Sequence, residues 1–257
     1  MLACIDIGNT HVHFGLMPAG GQTAAIGLGE LRTDHIEQLG ERIRATADQN
    51  HVTLTGVALC SVVPAATLLA AEALFPLHVP VWQLTHESDL GVPITYPVPA
   101  EIGHDRLANA AGAAALGQTP AIIIDLGTAA TFDIVTRRGG YEGGIIAPGP
   151  ALMTRYLHEH TAQLPLVEDV VTPVPTAIGK STVEAMRIGA VLGFTGLIQA
   201  CLDGVEADLA AAGESPAHIF TCGGAAPVVS GRLRQPTIDV PDLTLRGLAA
   251  AWTLNRQ

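Results

Sequence analysis

The sequence has few basic residues for its length. Lysine and arginine together number 13 against 24 aspartate and glutamate residues, which gives a formal charge of −11 at pH 7. Capture of nucleic acid or of an anionic membrane surface needs a basic patch, so neither kind of partner is expected. A chain this acidic must hold an anionic substrate locally, through backbone amides, a metal ion or a few arginines.

Cysteines and long apolar runs are also scarce. The four cysteines are widely spaced and lie mostly in apolar runs, which is typical of reduced core thiols: Cys4, Cys60, Cys201 and Cys222. Gly, Pro, Asp or His interrupts each apolar stretch before the ~20 residues needed to cross a bilayer, so no membrane-spanning helix is expected. Met1 leads directly into an apolar strand without a basic segment or cleavage site, which favours a cytoplasmic protein.

A near-repeat is the most informative feature that the sequence does contain. Residues 3–10, ACIDIGNT, return in altered form at residues 122–129 as IIIDLGTA. Both copies combine a buried strand, an Asp and a Gly at a fixed offset, and a second apolar strand follows each. Each copy therefore predicts a β-hairpin with Gly in its turn. Two homologous halves are expected at residues 1–117 and 118–257, divided where Gly, Thr and Pro interrupt a helix.

The rest of the chain alternates helices with strands. Helices are predicted at residues 33–50, 65–75, 107–116, 151–163, 181–209 and 243–255, and further strands at 54–63, 79–84 and 217–222. The chain is 257 residues long and 48% hydrophobic, which provides enough core for two medium domains. The predicted fold class is α/β, with a mixed sheet in each half.

The hairpins also suggest chemistry. A strand–turn–strand unit with Gly and Thr at its apex exposes backbone N–H groups that can cradle phosphate oxygens. Asp6, at the end of the first strand, is then placed to hold a hydrated Mg²⁺ that bridges the phosphates. One such turn has an ordinary explanation in the dihedral preferences of Gly and Asn. Two facing copies predict a nucleotide cleft, where Gly223-Gly224 either approaches the adenosine or forms an ordinary loop.

Further motifs narrow the interpretation. They are Ser61-Val62-Val63-Pro64, Tyr96, Gly103-His104-Asp105-Arg106 with Asn109, and residues 125–129 (DLGTA), 143–149 (GGIIAPG) and 178–182 (IGKST). With these motifs in this order, the chain resembles the type III pantothenate kinase family. The layout also resembles the superfamily of acetate and sugar kinases, actin and heat-shock ATPases, which implies duplicated ribonuclease-H-like (actin-like ATPase) domains with an interdomain nucleotide cleft.

The family resemblance implies transfer of the ATP γ-phosphoryl group to the hydroxyl of pantothenate, the first step of coenzyme A synthesis. It also implies a homodimer that uses Mg²⁺ with ATP and a monovalent cation, K⁺ or NH₄⁺. Carried onto this chain, it makes Asp105 the catalytic base and Asp125 the K⁺ ligand. The implied ATP-binding residues are Asp6, Ile7, Gly8, Asn9, Thr10, His11, Val12, His13 and Thr128. The implied substrate contacts are Tyr96, Gly103, His104, Asp105, Arg106 and Thr182.

Several of these residues have a second explanation. Asp105 can accept the proton of an attacking hydroxyl, but Asp also favours the N-cap of a helix on its own account. Arg106 can pair with a carboxylate, which pantothenate has. His104 departs from the family, which usually has a small residue such as Ala there, so its ring could crowd the pocket or add a polar contact. His158 and His160 lack a third ligand at metal spacing and are interpreted as solvated.

Two expectations rest on burial and charge. The helix at residues 183–202 is rich in Ala and Gly, and both of its apolar faces are buried only if one meets a partner, which predicts a homodimer. Asp125 ends a buried strand close to the expected phosphates, so a weakly hydrated monovalent cation would relieve the repulsion between anions. The alternative is that Asp125 binds only Mg²⁺, through water.

Three other hypotheses stay open. A different kinase of the same superfamily, acting on a sugar or a short acid, would share the hairpins but would not require Tyr96 together with Asp105 and Arg106. A nucleotide-binding regulatory protein without catalysis would have no need of the base. A structural ATPase related to actin is disfavoured by the short chain.

Overall fold

The computed structural model of the protein describes residues 1–172, 174, 176–214 and 216–256. The chain forms two compact units. The first unit consists of Met1–Thr119, Arg138–Glu142 and Asp242–Gln257, and the second of Pro120–Arg137 and Gly143–Pro241. The last helix of the chain therefore packs in the first unit. A compact unit and a duplicated half are different divisions of a chain, so the halves at residues 1–117 and 118–257 stay a prediction.

The order of the elements follows the predicted alternation of helices and strands. The strands are β1 (Leu2–Ile7), β2 (His11–Met17), β3 (Ile26–Arg32), β4 (Gly56–Ser61), β5 (Val81–Gln83), β6 (Ala121–Leu126), β7 (Ala129–Thr136), β8 (Gly140–Pro148), β9 (His218–Cys222) and β10 (Ile238–Asp239). The helices are α1 (Leu39–Gln49), α2 (Pro64–Leu74), α3 (His104–Ala115), α4 (Pro150–Glu159), α5 (Thr182–Ala211), α6 (Ala226–Val229) and α7 (Leu243–Leu254).

The two units contain sheets of the same topology. The first sheet has the strand order β3-β2-β1-β4-β5, and the second has β10-β9-β6-β7-β8, which is the same order read from its other edge. In each sheet the central strand pairs antiparallel with the next strand along the chain and parallel with the fourth strand of the set. This repeated mixed sheet confirms the predicted α/β fold class with duplicated ribonuclease-H-like domains.

The central strand β1 of the first sheet is buried on both faces. Ile5 and Ile7 of β1 pack in one apolar cluster with Ile43 of α1 and Ala70 of α2. On β1 the alternate residue Cys4 is equally buried. A central strand covered on both sides is expected to be apolar throughout, which explains why β1 lacks an alternating pattern.

Helices α3 and α7 pack closely against each other. Glycine at position 247 of α7 allows this approach, since a methyl group there would collide with the backbone of α3.

The second sheet packs against the long helix α5. Ile122 and Ile124 of β6 share an apolar cluster with Val191, Phe194 and Ile198 of α5. The spacing of the three helix residues places them on one face. That face of α5 therefore supplies much of the core of the second unit.

Helix α5 departs from the expectation that no stretch of the chain is long and apolar enough to cross a membrane. Its 30 residues pass that test by length and composition, although only a third of the tested window is buried within the chain. The interruptions by Gly and Asp that motivated the expectation do not break this helix. A core helix of a globular protein passes the same test, and α5 contributes to the apolar core of its unit.

Three strands were not predicted, and the helix at residues 33–50 is divided. Strand β3 is exposed at alternate residues and contains two glycines, so it carries no apolar run. The last five residues of strand β8 are exposed or partly exposed, and β10 has only two residues. Residues Thr33–Gln38 form a 3₁₀ helix before α1, because His35 has a non-helical backbone.

Candidate active site

The turn between β1 and β2 is held by backbone and side-chain hydrogen bonds. The N–H of Gly8 donates to the carbonyl of His11 at 3.0 Å. Thr33 secures the turn from outside: its hydroxyl donates to the Gly8 carbonyl at 2.7 Å and its N–H to the Thr10 carbonyl at 3.0 Å. Asn9, Thr10 and His11 remain exposed at the apex. The turn is thus a fixed loop with accessible backbone.

The predicted ATP-binding residues of this hairpin divide into buried and accessible side chains. Ile7 and Val12 point into the core, so only their backbone groups are available to a ligand. Asp6 is partly buried and lies directly opposite His13 in the antiparallel pair, which places both side chains on one face of the hairpin. Burial lowers the pKa of His13, whose Nδ1 lies 3.7 Å from a carboxylate oxygen of Glu30.

The end of β4 connects this hairpin to α2. The N–H of Val62 donates to the Ile7 carbonyl at 3.2 Å. The hydroxyl oxygen of Ser61 accepts from the N–H of Val63 at 3.1 Å and from the hydroxyl of Thr67, in α2, at 2.7 Å. The Ser61-Val62-Val63-Pro64 motif therefore has a structural role, because it fixes the start of α2 against the end of β1.

Helix α3 presents Asp105 in its first turn. Its N-cap is Gly103, so the alternative explanation of Asp105 as an N-cap does not describe the structure. The Asp105 carboxylate accepts a 2.8 Å hydrogen bond from the N–H of Arg106. Burial raises the pKa of Asp105, while this hydrogen bond and the Arg106 charge act in the opposite direction. A partly buried carboxylate with a raised pKa is a better proton acceptor than a solvated one.

The carboxylates of Asp6 and Asp105 lie at the same end of the first sheet. Cys60, the last buried residue of β4 before Ser61, has its Sγ 3.4 Å from Oδ1 of Asp6. Burial raises the thiol pKa of Cys60 well above its usual value, and the negative charges of Asp6 and Asp105 raise it further. Val62, which follows Ser61, lies with Oδ1 of Asp105 against the Cβ position of Gly103, so Asp105 is also near this end of β4. The sequence indicated only a core cysteine here.

Arg106 is held against an aromatic ring that the sequence interpretation missed. The guanidinium carbon lies 5.9 Å from the centre of the buried Tyr141 ring, a cation–π distance. The backbone of Tyr141 also accepts a 3.0 Å hydrogen bond from the N–H of Thr95, next to the partly buried Tyr96. Tyr141 thus brings the Tyr96 segment and Arg106 together. The sequence signal that could have identified Tyr141 is its position two residues before the 143–149 motif.

His104 lies at the rim of a cavity beside Asp105. Burial lowers the pKa of its imidazole, and so does the charge of nearby His86. Its Nδ1 is inaccessible to solvent and has no hydrogen-bond partner among the described residues. The cavity has a volume of about 420 Å³, and its polar lining consists of Ser61, Thr67, Gln83, Glu101 and His104. A hydrogen bond with the Ser61 backbone raises the pKa of the imidazole and so opposes the effects of burial and of His86, and it ties the ring to the end of β4.

The second hairpin, formed by β6 and β7, is in contact with two glycines of the predicted motifs. The N–H of Gly149 donates to the carbonyl of Thr128 at 3.0 Å, and a methyl group on Gly149 would collide with the turn backbone. Gly223 has a φ of +85°, and a Cβ on it would lie 2.6 Å from Oδ1 of Asp125 and from the Leu126 carbonyl oxygen. Only glycine allows these two close approaches.

Thr182 is the exposed first residue of α5. The hydroxyl of Ser181, the N-cap, accepts a 3.2 Å hydrogen bond from the N–H of Glu184. The Glu184 carboxylate in turn accepts from the N–H of Lys180 at 2.7 Å. This arrangement resembles a capping box, so the Lys180–Glu184 segment is explained in part by the start of the helix.

Metal ligands are sparse around both hairpins. Within the described part of the chain, no group of three or more His, Cys, Asp and Glu side chains is arranged to hold a metal ion. His158 and His160 are exposed and bond to backbone carbonyls of Leu164 and Tyr156, which accords with their interpretation as solvated residues. Any cation in either hairpin would therefore share single carboxylates with backbone oxygens, water or phosphate.

Solved structures with the same fold include kinases. A ROK family glucokinase from Streptomyces griseus, solved in complex with glucose and AMPPNP, superposes with a TM-score of 0.50 at 14% sequence identity and covers 100% of this chain and 99% of its own. The ethanolamine utilization protein EutJ from Carboxydothermus hydrogenoformans gives a TM-score of 0.55 at 14% identity, covering 96% and 88%. At these identities the likeness establishes the fold alone.

Sequence comparison is more specific. A relative from Akkermansia muciniphila, named type III pantothenate kinase, is 45% identical over 198 residues, which is 77% of this chain and 78% of the relative. Another of the same name, from Acidothermus cellulolyticus, is 36% identical over 264 residues and covers 99% of both chains. The sequence model of the type III pantothenate kinase family matches residues 2–203. This chain belongs to the type III pantothenate kinase family.

Proposed function

We propose that the protein phosphorylates pantothenate with ATP to give 4'-phosphopantothenate, the first step of coenzyme A synthesis. Family membership supports the reaction class and the acceptor. The observation that carries the proposal is the placement of Asp6 and Asp105 at one end of the first sheet. Asp6 pairs with Cys60 near the end of β4, and Val62, which follows β4, lies with Oδ1 of Asp105 against the Cβ position of Gly103. A phosphoryl transferase needs a proton acceptor close to the site that holds the phosphates.

Asp105 is the proposed base. The pantothenate hydroxyl oxygen attacks the γ-phosphorus, its proton passes to the Asp105 carboxylate, and the bond from the γ-phosphorus to the bridging oxygen breaks to release ADP. The raised pKa of Asp105 suits this task, because the carboxylate then has a greater affinity for the proton. Positioning in the first turn of a helix also limits the rotation of its side chain.

Arg106 is the proposed partner of the pantothenate carboxylate. Its guanidinium is restrained by the buried Tyr141 ring, so little side-chain entropy is lost when it binds an anion. The Tyr96 segment shares this anchor through Thr95. Tyr96, Gly103, His104 and Thr182 complete the proposed substrate contacts.

The first hairpin and Thr128 are the proposed nucleotide contacts. The apex residues Gly8, Asn9, Thr10 and His11 offer accessible backbone around a fixed turn, and His13 and Asp6 share one face. Such exposed amides bind phosphate without requiring lysine, which suits the acidic composition of the chain.

Both proposed cations fit the groups present. Asp6 is a partly buried carboxylate beside the exposed turn and would hold the Mg²⁺ that accompanies ATP and neutralises its phosphates. Oδ1 of Asp125 and the Leu126 carbonyl oxygen both lie against Gly223. That carbonyl accepts a 2.7 Å hydrogen bond from the N–H of Ala225 and keeps a second lone pair for a cation. A carboxylate with a carbonyl suits K⁺ or NH₄⁺, and the alternative at Asp125 is a hydrated Mg²⁺.

We also propose a cytoplasmic homodimer formed through α5. Gly189, Leu192, Gly193 and Gly196 have the spacing of one helix face, and this face is exposed. A Cβ at Gly189 or Gly196 would meet nothing within 4 Å, so a second helix could approach closely. Sedimentation at micromolar concentration is expected to show a dimer, and a monomer would contradict this part of the proposal.

An acceptor panel tests the proposed activity. ADP release from ATP is measured with pantothenate, pantetheine and simple sugars as acceptors, each at the same concentration. Pantothenate is expected to be phosphorylated fastest. Phosphorylation of a sugar alone would favour another kinase of the superfamily, and ATP binding without transfer to any acceptor would favour a regulatory nucleotide-binding protein.

A further inference from the structure

Cys60 occupies a special position relative to Asp6. The two residues are direct partners in the parallel β1–β4 pair, and the thiol sulfur lies 3.4 Å from Oδ1 of the carboxylate. Cys60 has no solvent-accessible surface. At this distance a thiol beside a carboxylate is a hydrogen-bond donor, since the carboxylate can only accept. The bond therefore links a fully buried side chain to a partly buried carboxylate near the end of β1.

The same relation recurs in the second unit. Cys222 of β9 is the direct partner of Asp125 in the parallel β6–β9 pair. The two sheets share one topology, so Cys60 and Cys222 hold equivalent places beside equivalent carboxylates. Ordinary core packing requires only an apolar residue of similar volume at either place. A cysteine opposite the Asp in both units favours a role for the thiol itself.

A carboxylate at the end of a strand can rotate about its side-chain bonds unless a neighbour fixes it. A hydrogen bond to one oxygen restricts that rotation and lowers the entropy lost when the carboxylate meets a cation. The Cys60 donor is well suited to this, because it comes from a fully buried and therefore immobile side chain on the adjacent strand. Burial keeps the pKa of this thiol well above its usual value, so it stays neutral and adds no charge beside Asp6.

We propose that Cys60 is a positioning residue, whose thiol donates to Oδ1 of Asp6 and fixes the orientation in which that carboxylate meets the Mg²⁺-nucleotide. The inference rests on the proposed function, in which Asp6 serves the metal. Cys60 itself touches neither nucleotide nor acceptor. Loss of the thiol is therefore expected to weaken binding of the metal-bound nucleotide while leaving binding of the metal-free nucleotide unchanged.

The first measurement uses the protein without nucleotide or metal. The infrared S–H stretching band of Cys60 is identified by its loss in Cys60→Ala, and a hydrogen-bonded thiol absorbs at lower frequency than an unbonded one. In Asp6→Ala the band is expected to move to higher frequency, because the acceptor has been removed. A band that stays in place in Asp6→Ala would overturn the proposed bond.

The second measurement compares binding of Mg·ADP with binding of ADP in the presence of a chelator, by calorimetry. Cys60→Ala is expected to weaken Mg·ADP binding by up to about tenfold, because the Asp6 side chain then loses rotational freedom when the cation binds. Cys60→Ser keeps a donor and is expected to bind as the wild type does. Cys4→Ala is the matched control, since Cys4 is an equally buried thiol whose pKa is raised by burial.

The outcomes distinguish a positioning role of the Cys60 thiol from a role of its side chain in core packing. Wild-type Mg·ADP affinity in Cys60→Ala, or equal weakening in Cys60→Ser and Cys60→Ala, would overturn the donor role. Equal weakening in Cys4→Ala would assign the effect to a looser core. If Cys60→Ala does not fold, Cys60→Ser and the infrared band still decide. A wild-type protein that fails to phosphorylate pantothenate would refute the proposed function, whereas the infrared and binding results would stand independently.

Discussion

The two Asp-bearing hairpins share a backbone frame but differ in what surrounds the carboxylate. The turn is closed by a 3.0 Å hydrogen bond in each, donated by Gly8 in the first and by Gly127 in the second. In each, the Asp lies opposite a cysteine on the adjacent parallel strand. The residue after that cysteine is Ser61 in the first unit and Gly223 in the second.

This difference changes the immediate surroundings of each carboxylate. Ser61 uses its hydroxyl oxygen to fix the start of α2, where it accepts from the N–H of Val63 and the hydroxyl of Thr67. Gly223 instead brings backbone against Asp125, because its φ of +85° and missing Cβ permit the approach. The proposed function assigns Mg²⁺ and base chemistry to the first unit and a monovalent cation to the second.

The largest expected effect concerns Asp105, which belongs only to the first unit. Asp105→Asn keeps the size of the side chain and removes the proton acceptor, so turnover is expected to fall by about 10² to 10⁴. ADP affinity should stay at its wild-type value because the hairpin is intact. Steady-state kinetics together with calorimetry check both points, and wild-type turnover would show that Asp105 has only a structural role.

The next largest effect tests whether Asp6 of the first hairpin holds Mg²⁺ or only supports the fold. Asp6→Asn removes the charge that would hold Mg²⁺, and we expect Mg·ATP to bind about 10- to 100-fold more weakly. Excess Mg²⁺ or Mn²⁺ should restore part of the lost activity. Titration of activity with each metal is the measurement. An unchanged Mg²⁺ requirement would assign Asp6 to the fold instead.

Two adjacent glycines of the second unit test whether close backbone packing against Asp125 matters for nucleotide binding. Gly223→Ala forces a methyl group against Asp125 and strains a left-handed backbone, so we expect about tenfold weaker nucleotide binding. Gly224→Ala is the matched control, because a Cβ there meets nothing within 4 Å. Calorimetric titration with ADP compares the two variants. Equal affinities would mean that Gly223 does not shape the site.

The smallest expected effect concerns the monovalent cation. Replacing K⁺ by Na⁺ at constant ionic strength is expected to lower turnover by roughly fivefold to tenfold, because Na⁺ loses its water less readily. Asp125→Ala should bind nucleotide and lose this dependence. Equal rates in the two salts for the wild type would remove the K⁺ assignment and favour a hydrated Mg²⁺ at Asp125.

Local patterns were sufficient to predict both hairpins and most helices. The near-repeat located β1 and β6 because buried central strands and glycine turns carry strong sequence signals. Strand β3 was missed because it is held in place by pairing with β2 and by few buried residues of its own. The packing of α7 in the first unit depends on contacts between distant segments, which no local pattern reports.

The candidate site was predictable in its motifs but not in its contacts. The Gly103–Arg106 motif indicated Asp105 and Arg106 directly. Tyr141 joins Arg106 only because residues 138–142 pack in the first unit, far from it in sequence. Cys60 had the appearance of a core thiol, since its position opposite Asp6 depends on the register of β1 and β4. Strand register between distant segments is a property of the folded chain.

Product identification tests the central claim most directly. The wild-type protein is incubated with Mg·ATP, K⁺ and pantothenate, and phosphorus NMR follows the reaction alongside the Asp105→Asn variant. We expect a phosphate monoester of pantothenate to appear in equal amount with ADP in the wild type and to be nearly absent in the variant. ADP formed without phosphorylated pantothenate, or equal product from both proteins, would contradict a pantothenate kinase that uses Asp105 as its base.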